Sequence, residues 1–441
     1  MQNDAVALTA PRVDGGTPNA TLVAAPRYTL VHVVTGETTK DLILSQVLAP
    51  MVEQVRVRGA LAPERALVVF LEPARMALRR RLRARVGEMR RLTPGVKIAL
   101  MPYVSRFSIR SNARAAAPVI RAMAGSRDVV FHCRGEWAVL WAACLANSFR
   151  TSGIVADIRG SWPEEALAKR GIADLSAADA SAVRDYQLQL ETVKSAIAAA
   201  HQILTVSRGM LDWLLQLGVD AQRLHYVPSC VPRLTFSRSV RDEMRSRLGI
   251  GDELLYCFLG SAESYATIGD GIVPFLRATF ERFTDVRLLM VTDQPNVVRR
   301  GLLEAGLPAE RMLFESAPHD EVWRYLCAAD CGCILKAPGR LNRTWQPVKL
   351  GEYLAAGLPV VVSRGIGDVD TTITKAGAGI AVELFDGQAN SVNAEALRVH
   401  EALATDGKGM RARALELCEQ HFLWTCYIDD VRSAYAHALS A

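Results

Sequence analysis

The sequence predicts an α/β protein of two domains, each a largely parallel sheet layered with helices. Three observations carry that prediction. Short apolar runs alternate with helical patterns along the whole chain. The 441 residues exceed one comfortable core and suit two. The alternation stops in a basic, polar stretch at 233–247 and restarts at Leu254.

In the first half the apolar runs predict strands at 28–34, 67–71, 97–101, 129–132, 154–158 and 202–206. Between them the 3.6-residue periodicity predicts helices at 41–58, 75–92 and 178–200. The second half predicts strands at 254–259, 287–291, 312–315, 331–335 and 359–363. Helices are expected at 271–283, 296–305, 320–328 and 347–356, with a last group from 391 to 439 folding back on the first domain. The resulting division is a flexible tail at 1–26, a first domain at 27–233, a second at 234–420 and a returning helix at 421–441. No short-period repeat is present, which excludes solenoids and propellers.

Composition removes several function classes. Apolar residues make up 50% and charged residues 22%, the balance of a globular protein. No apolar run reaches the ~20 residues that cross a bilayer, and 1–25 lacks the pattern of a secretory signal. The nine cysteines are odd in number and without framework spacing, which fits a reducing, cytoplasmic setting. Cys331-Gly-Cys333 lies in an apolar run and reads as buried strand. Net charge is +6, and 75–91 alone holds eight arginines against Glu88. Basic charge in one short stretch, without an aromatic platform, argues against nucleic acid. The apolar stripe Leu78, Leu82, Val86 and Met89 predicts packing on the first sheet. The surrounding arginines suit either plain solvation or an anionic membrane surface at the inner membrane's cytoplasmic face.

Neither half carries Gly-x-Gly-x-x-Gly after its first strand, nor a Walker loop, so dehydrogenases and P-loop enzymes are disfavoured. The informative segment is 335–363, LKAPGRLNRTWQPVKLGEYLAAGLPVVVS. Pro347 suits a helix's first turn, Leu350, Tyr353 and Leu354 share its buried face, and Gly357 suits the left-handed position that ends it. Lys349 and Glu352, three apart, share a face. A helix amino end with Lys336, Arg340, Arg343 and Lys349 around it suits a diphosphate. A carboxylate beside it can accept hydrogen bonds from both ribose hydroxyls. The plain alternative is a surface ion pair and a solvated loop.

The run from Pro347 to Val361, with Lys349, Glu352 and Gly357 inside it, resembles the donor-site motif of family-4 glycosyltransferases, enzymes of the GT-B fold. Further segments are similar to the same family in the same order: Asp157-Ile-Arg159-Gly160 with Pro163-Glu164-Glu165, then 204–207, 226–228, 258–261, 318–330 and 377–381. The resemblance implies two Rossmann-like domains facing each other across a cleft. It also implies a nucleotide-sugar substrate on UDP or GDP, no cofactor, and transfer with retention, the leaving phosphate taking the acceptor's proton. By that likeness Glu352 holds the ribose, Gly260 and Ser261 approach the diphosphate, and Ser316 to Pro318 flank the base. Two departures stand out. Thr344 replaces the usual glutamate eight positions before Glu352, and Tyr265-Ala266-Thr267 stands where a basic residue is common. They leave the donor-sugar contact open.

The acceptor side is expected on the first domain, where a glycan or lipid-linked acceptor would bind. Asp157 and Arg159 end a strand, to orient the acceptor hydroxyl and hold a phosphate, or else pair to hold a loop. His132 and Arg134 end the preceding strand, and Gly36 and Thr38 follow the first. No metal is expected, and Asp368-Val-Asp370 reads as a loop. The leading reading is a glycosyltransferase of surface polysaccharide or lipopolysaccharide assembly. Two others are a non-transferring enzyme such as a nucleotide-sugar epimerase, and a silent scaffold subunit motivated by Thr344.

Overall fold

The computed structural model describes residues 27–36, 43–104, 108–125, 128–172, 174–260, 262–384 and 389–441. The tail at 1–26, Thr38 and Ser261 lie outside them. Two parallel sheets form the frame. The first holds β1 (Thr29–Thr35), β2 (Arg65–Pro73), β3 (Val96–Tyr103), β4 (Asp128–Arg134), β5 (Thr151–Ile158), β6 (Gln202–Thr205) and β7 (Leu224–Tyr226), in the order 3-2-1-4-5-6-7. The second holds β8 (Leu254–Leu259), β9 (Val286–Val291), β10 (Met312–Glu315), β11 (Cys331–Ile334), β12 (Val360–Ser363) and β13 (Gly379–Val382), in the order 10-9-8-11-12-13. Each begins at its middle, builds one edge, then crosses over to build the other. That is the doubly wound pattern, and it puts a crevice where the winding reverses: between β1 and β4, and between β8 and β11.

These strands form because each apolar run is buried on both faces, as a helix-covered parallel sheet requires. Val31, Val33, Leu67, Val69, Phe131 and Ile154 face one core of the first sheet; Leu30, Val34, Val68, Phe70, Val130 and Val155 face the other. The second sheet is covered the same way. Helix Ile428–Ser440 packs on β5 and β6. Gly153 gives it room, since a Cβ there would come within 2.8 Å of the Ala438 backbone. Arg432 ties the same helix to Gln54 and Val57, and the Trp424 indole N–H donates to the Ser45 carbonyl. All nine cysteines are free thiols, and Cys331 and Cys333 are buried in β11.

Three local expectations change. The stretch expected as a plain crossing contains helix Arg238–Arg247, whose Arg241 and Arg245 bind Asp330 at 2.5 and 3.0 Å. The 75–92 helix is broken: Arg79 is extended (φ −67°, ψ 131°) and the main helix is Arg80–Leu92. Leu82, Val86 and Met89 are buried as the stripe predicts, but the break leaves Leu78 68% exposed. Short edge strands β7 and β13 add to those expected.

Candidate functional site

Helix Lys349–Ala355 begins outside the carboxyl ends of β8 and β11, at the second sheet's reversal point. Its position is fixed by Tyr353. Its hydroxyl accepts from the Leu259 N–H at 2.7 Å and donates to the Cys257 carbonyl at 3.4 Å. The ring lies on Gly332, where a Cβ would come within 2.4 Å. Gly357, at φ +66°, ends the helix in the left-handed region. Anchored so, the helix aims Lys349 at the end of β8. The ammonium lies 4.3 Å from the centre of the Phe258 ring, and a Cβ on Gly260 would stand 3.0 Å from it. Gly260 therefore leaves the approach to Lys349 open at the strand end. Burial pushes Lys349 down to about 8, with Glu352 the main opposing influence. Burial pushes Glu352 up, while His319 and Lys349 pull it back.

Lys336 follows β11. Its backbone N–H donates to Ser363 Oγ at 2.9 Å and its ammonium lies 4.6 Å from the Trp345 ring centre. Burial pushes its pKa down and Glu165, from the first domain, opposes that. Arg343, Ser316 and Pro318 are exposed. Arg340 is turned to the first domain, where it ion-pairs with Glu164 at 3.0 Å; Tyr186 also donates to Glu164. The Thr344 hydroxyl is spent on the Leu341 carbonyl, and its own carbonyl accepts from Ser207 of the first domain at 2.9 Å. Gln346 accepts from the Ser229 N–H at 2.5 Å. Gly209 completes this junction: a Cβ there would lie 1.8 Å from the Arg343 carbonyl oxygen.

In the first domain, Asp157 is buried at the end of β5 and bound on several sides. Arg159 Nε donates to it at 2.7 Å, with His132 Nε2 at 3.4 Å and Arg134 Nη1 at 3.6 Å. Burial alone would raise its carboxyl, but Arg159, then His132 and Arg134, outweigh it and hold Asp157 well below the usual range. His132 Nδ1 meets the Tyr435 hydroxyl at 2.7 Å. His32 stacks near His132, 4.2 Å between ring centres, and burial pushes its imidazole pKa well down. Ligand atoms of His32, His132 and Asp157 fall within 4.8 Å of one another. That spacing suits a metal, but two guanidinium groups already on Asp157 oppose a further divalent charge. Asp157 is 1% exposed, and its carboxylate is held by these neighbours. Asp370 accepts from the Gly365 N–H at 3.0 Å, a turn contact.

Gly135, Glu136 and Trp137 at the cleft were not singled out from sequence. Gly36 and Gly135, both at positive φ, close the ends of β1 and β4 at the first sheet's reversal point. Glu136 and Trp137 follow Gly135. Burial, then the nearby Glu165, pushes the Glu136 carboxyl up to about 7, its own backbone N–H opposing. Trp137 meets Trp162 edge to face at 6.3 Å. Glu165 thus acts electrostatically on Glu136 in its own domain and on Lys336 in the other. Lys336 and Glu165 were named from sequence, but nothing in their spacing joins them to Glu136, which follows the end of β4.

The fold has known counterparts. HepE of Anabaena in complex with UDP matches with a TM-score of 0.64 at 12% identity, over 92% of this chain and 99% of that one. Sucrose-phosphate synthase from Thermosynechococcus elongatus matches at 0.64 and 14%, over 93% and 98%. WaaG, a glycosyltransferase involved in lipopolysaccharide biosynthesis, matches at 0.56 and 14%, over 92% and 98%. The chain has the GT-B fold. At such identities the likeness speaks for the fold. No protein-family model matches the chain, and no curated protein matches its sequence. Among the described residues, no helix of this GT-B chain is long and apolar enough to cross a membrane.

Proposed function

We propose that the chain is a retaining glycosyltransferase of the family-4 type, moving a sugar from a nucleotide-sugar to a glycan or lipid-linked acceptor. The observation that carries this is Lys349 with Glu352 on one helix at the second sheet's reversal point, beside Gly260. UDP is the favoured carrier, since the Anabaena protein of the same fold holds UDP. The lipopolysaccharide role of WaaG supports a place in surface glycan assembly.

In this reading Glu352 accepts hydrogen bonds from the ribose hydroxyls and His319 steadies its charge. Lys349 and Lys336 face the diphosphate. As the bond from the sugar carbon to the phosphate oxygen lengthens, positive charge grows on the sugar and negative charge on the departing phosphate. Partly buried ammonium groups stabilise that phosphate more than they would in water. The acceptor oxygen bonds to the same face of the sugar carbon, and its proton passes to the leaving phosphate. No protein nucleophile is needed. Glu136 is positioned to orient the acceptor hydroxyl; Asp157 holds Arg159 and His132; Arg340 holds the domains together.

The test is turnover with a radiolabelled UDP-sugar and a bacterial glycolipid extract. Transfer predicts UDP release and labelled glycolipid only when the extract is present. An isomerised sugar formed without acceptor identifies an epimerase instead, and nucleotide binding without either product identifies a scaffold.

A further inference from the structure

A cavity opens beside the carboxyl end of β1, on the β2 and β3 side of the first sheet's reversal point. Its volume is about 150 Å³, and Thr35, Leu71, Met101, Ile109, Trp137 and Trp141 form much of its wall. They come from the ends of β1, β2 and β3 and from helices Ile109–Ala124 and Glu136–Ala146. Among the described residues, none that lines it is charged. Asn112, one of its few polar groups, spends its amide on the Ser108 carbonyl and hydroxyl at 3.1 Å. The Thr35 hydroxyl has no hydrogen-bond partner among the described residues.

That chemistry selects its occupant. A sugar ring would bring several hydroxyls to walls that could pair with few of them, and each buried unpaired group costs about 1–3 kcal/mol. A hydrocarbon group brings no hydroxyls of its own to leave unpaired, and an apolar cavity of about this volume takes a benzene-sized molecule. Trp137, which lines the cavity, is next in sequence to Glu136 at the start of helix Glu136–Ala146. We propose that this cavity is an acceptor subsite that holds a benzene-sized hydrocarbon group, so that the acceptor is amphipathic and its reactive hydroxyl lies beside Glu136. The assignment rests on the transferase reading for the word acceptor, but not for the binding itself.

The test uses the full chain and benzyl alcohol, a hydrocarbon ring with one hydroxyl. Binding is followed by tryptophan fluorescence, Trp137 and Trp141 being in the wall. Ala115, an exposed position that lines the cavity, is changed to Phe to fill it without disturbing a core. Ala115→Ser serves as the control. The expected result is saturable quenching in the wild type and Ala115→Ser, weakened at least tenfold in Ala115→Phe. Absent quenching, or quenching equal in Ala115→Phe, overturns the subsite. Thermal shifts with UDP, GDP, TDP and ADP are measured in the same samples. Benzyl alcohol binding without a shift by any of the four would keep the cavity and remove the transferase reading; the reverse would remove the cavity alone.

Discussion

Lys349 is the residue whose chemistry is most exposed to test. Its ammonium is pushed down to about 8 by burial, so above that pH the free protein holds it mostly neutral. A diphosphate favours the charged form and raises the value. Binding at about pH 8.5 should therefore take up protons, roughly half a proton or more per nucleotide. Calorimetry in two buffers of different ionisation heat measures that uptake. Lys349→Met should bind more weakly, by about tenfold or more, and take up none. Uptake unchanged in the variant would remove Lys349 from the diphosphate. The pairing of Lys349 with Glu352 on one face was legible because helical spacing is local. Phe258 beneath the ammonium, His319 beside Glu352, and Glu165 near both Glu136 and Lys336 were not. Their proximity depends on which strands neighbour which, β8 beside β11 and β1 beside β4, and periodicity carries no such information.

Among the elements, the buried strands were legible because a strand covered on both faces is one unbroken apolar run. β7 has only three residues and β13 opens on Gly379, so neither offers an apolar run long enough to announce a strand. The arginine helix shows how spacing can mislead: Leu78 continues the period of Leu82, Val86 and Met89 but lies beyond the break at Arg79. The consequence is an exposed leucine among exposed Arg75, Arg79, Arg80 and Arg81. Other arginines are occupied, Arg85 by Glu88 and Arg90 by the Ile98 carbonyl. An apolar tip ringed by guanidinium groups suits a headgroup layer, each cation contributing up to ~1 kcal/mol near an anionic surface. Co-sedimentation should rise steeply with anionic lipid and fall about tenfold or more in Arg79→Glu/Arg80→Glu. Sedimentation indifferent to lipid charge would leave the helix simply solvated.

Across the whole molecule, the segment before the donor helix is pinned from the other domain. Arg340 meets Glu164, the Thr344 carbonyl meets Ser207, Gln346 meets the Ser229 N–H, and Gly209 lets the Arg343 carbonyl approach. The Thr344 carbonyl is thus part of the domain junction, whatever side chain the position carries. This pinning means that a nucleotide gripped by helix Lys349–Ala355 should stabilise the full chain. The most direct measurement is therefore thermal unfolding with UDP, GDP, TDP and ADP, for the wild type and Glu352→Ala. At about 100-fold its Kd a ligand adds ~2.7 kcal/mol. A rise in Tm with one base, UDP foremost, lost in Glu352→Ala, is the predicted result. No rise with any of the four, or a rise undiminished by Glu352→Ala, would contradict a nucleotide site on this helix.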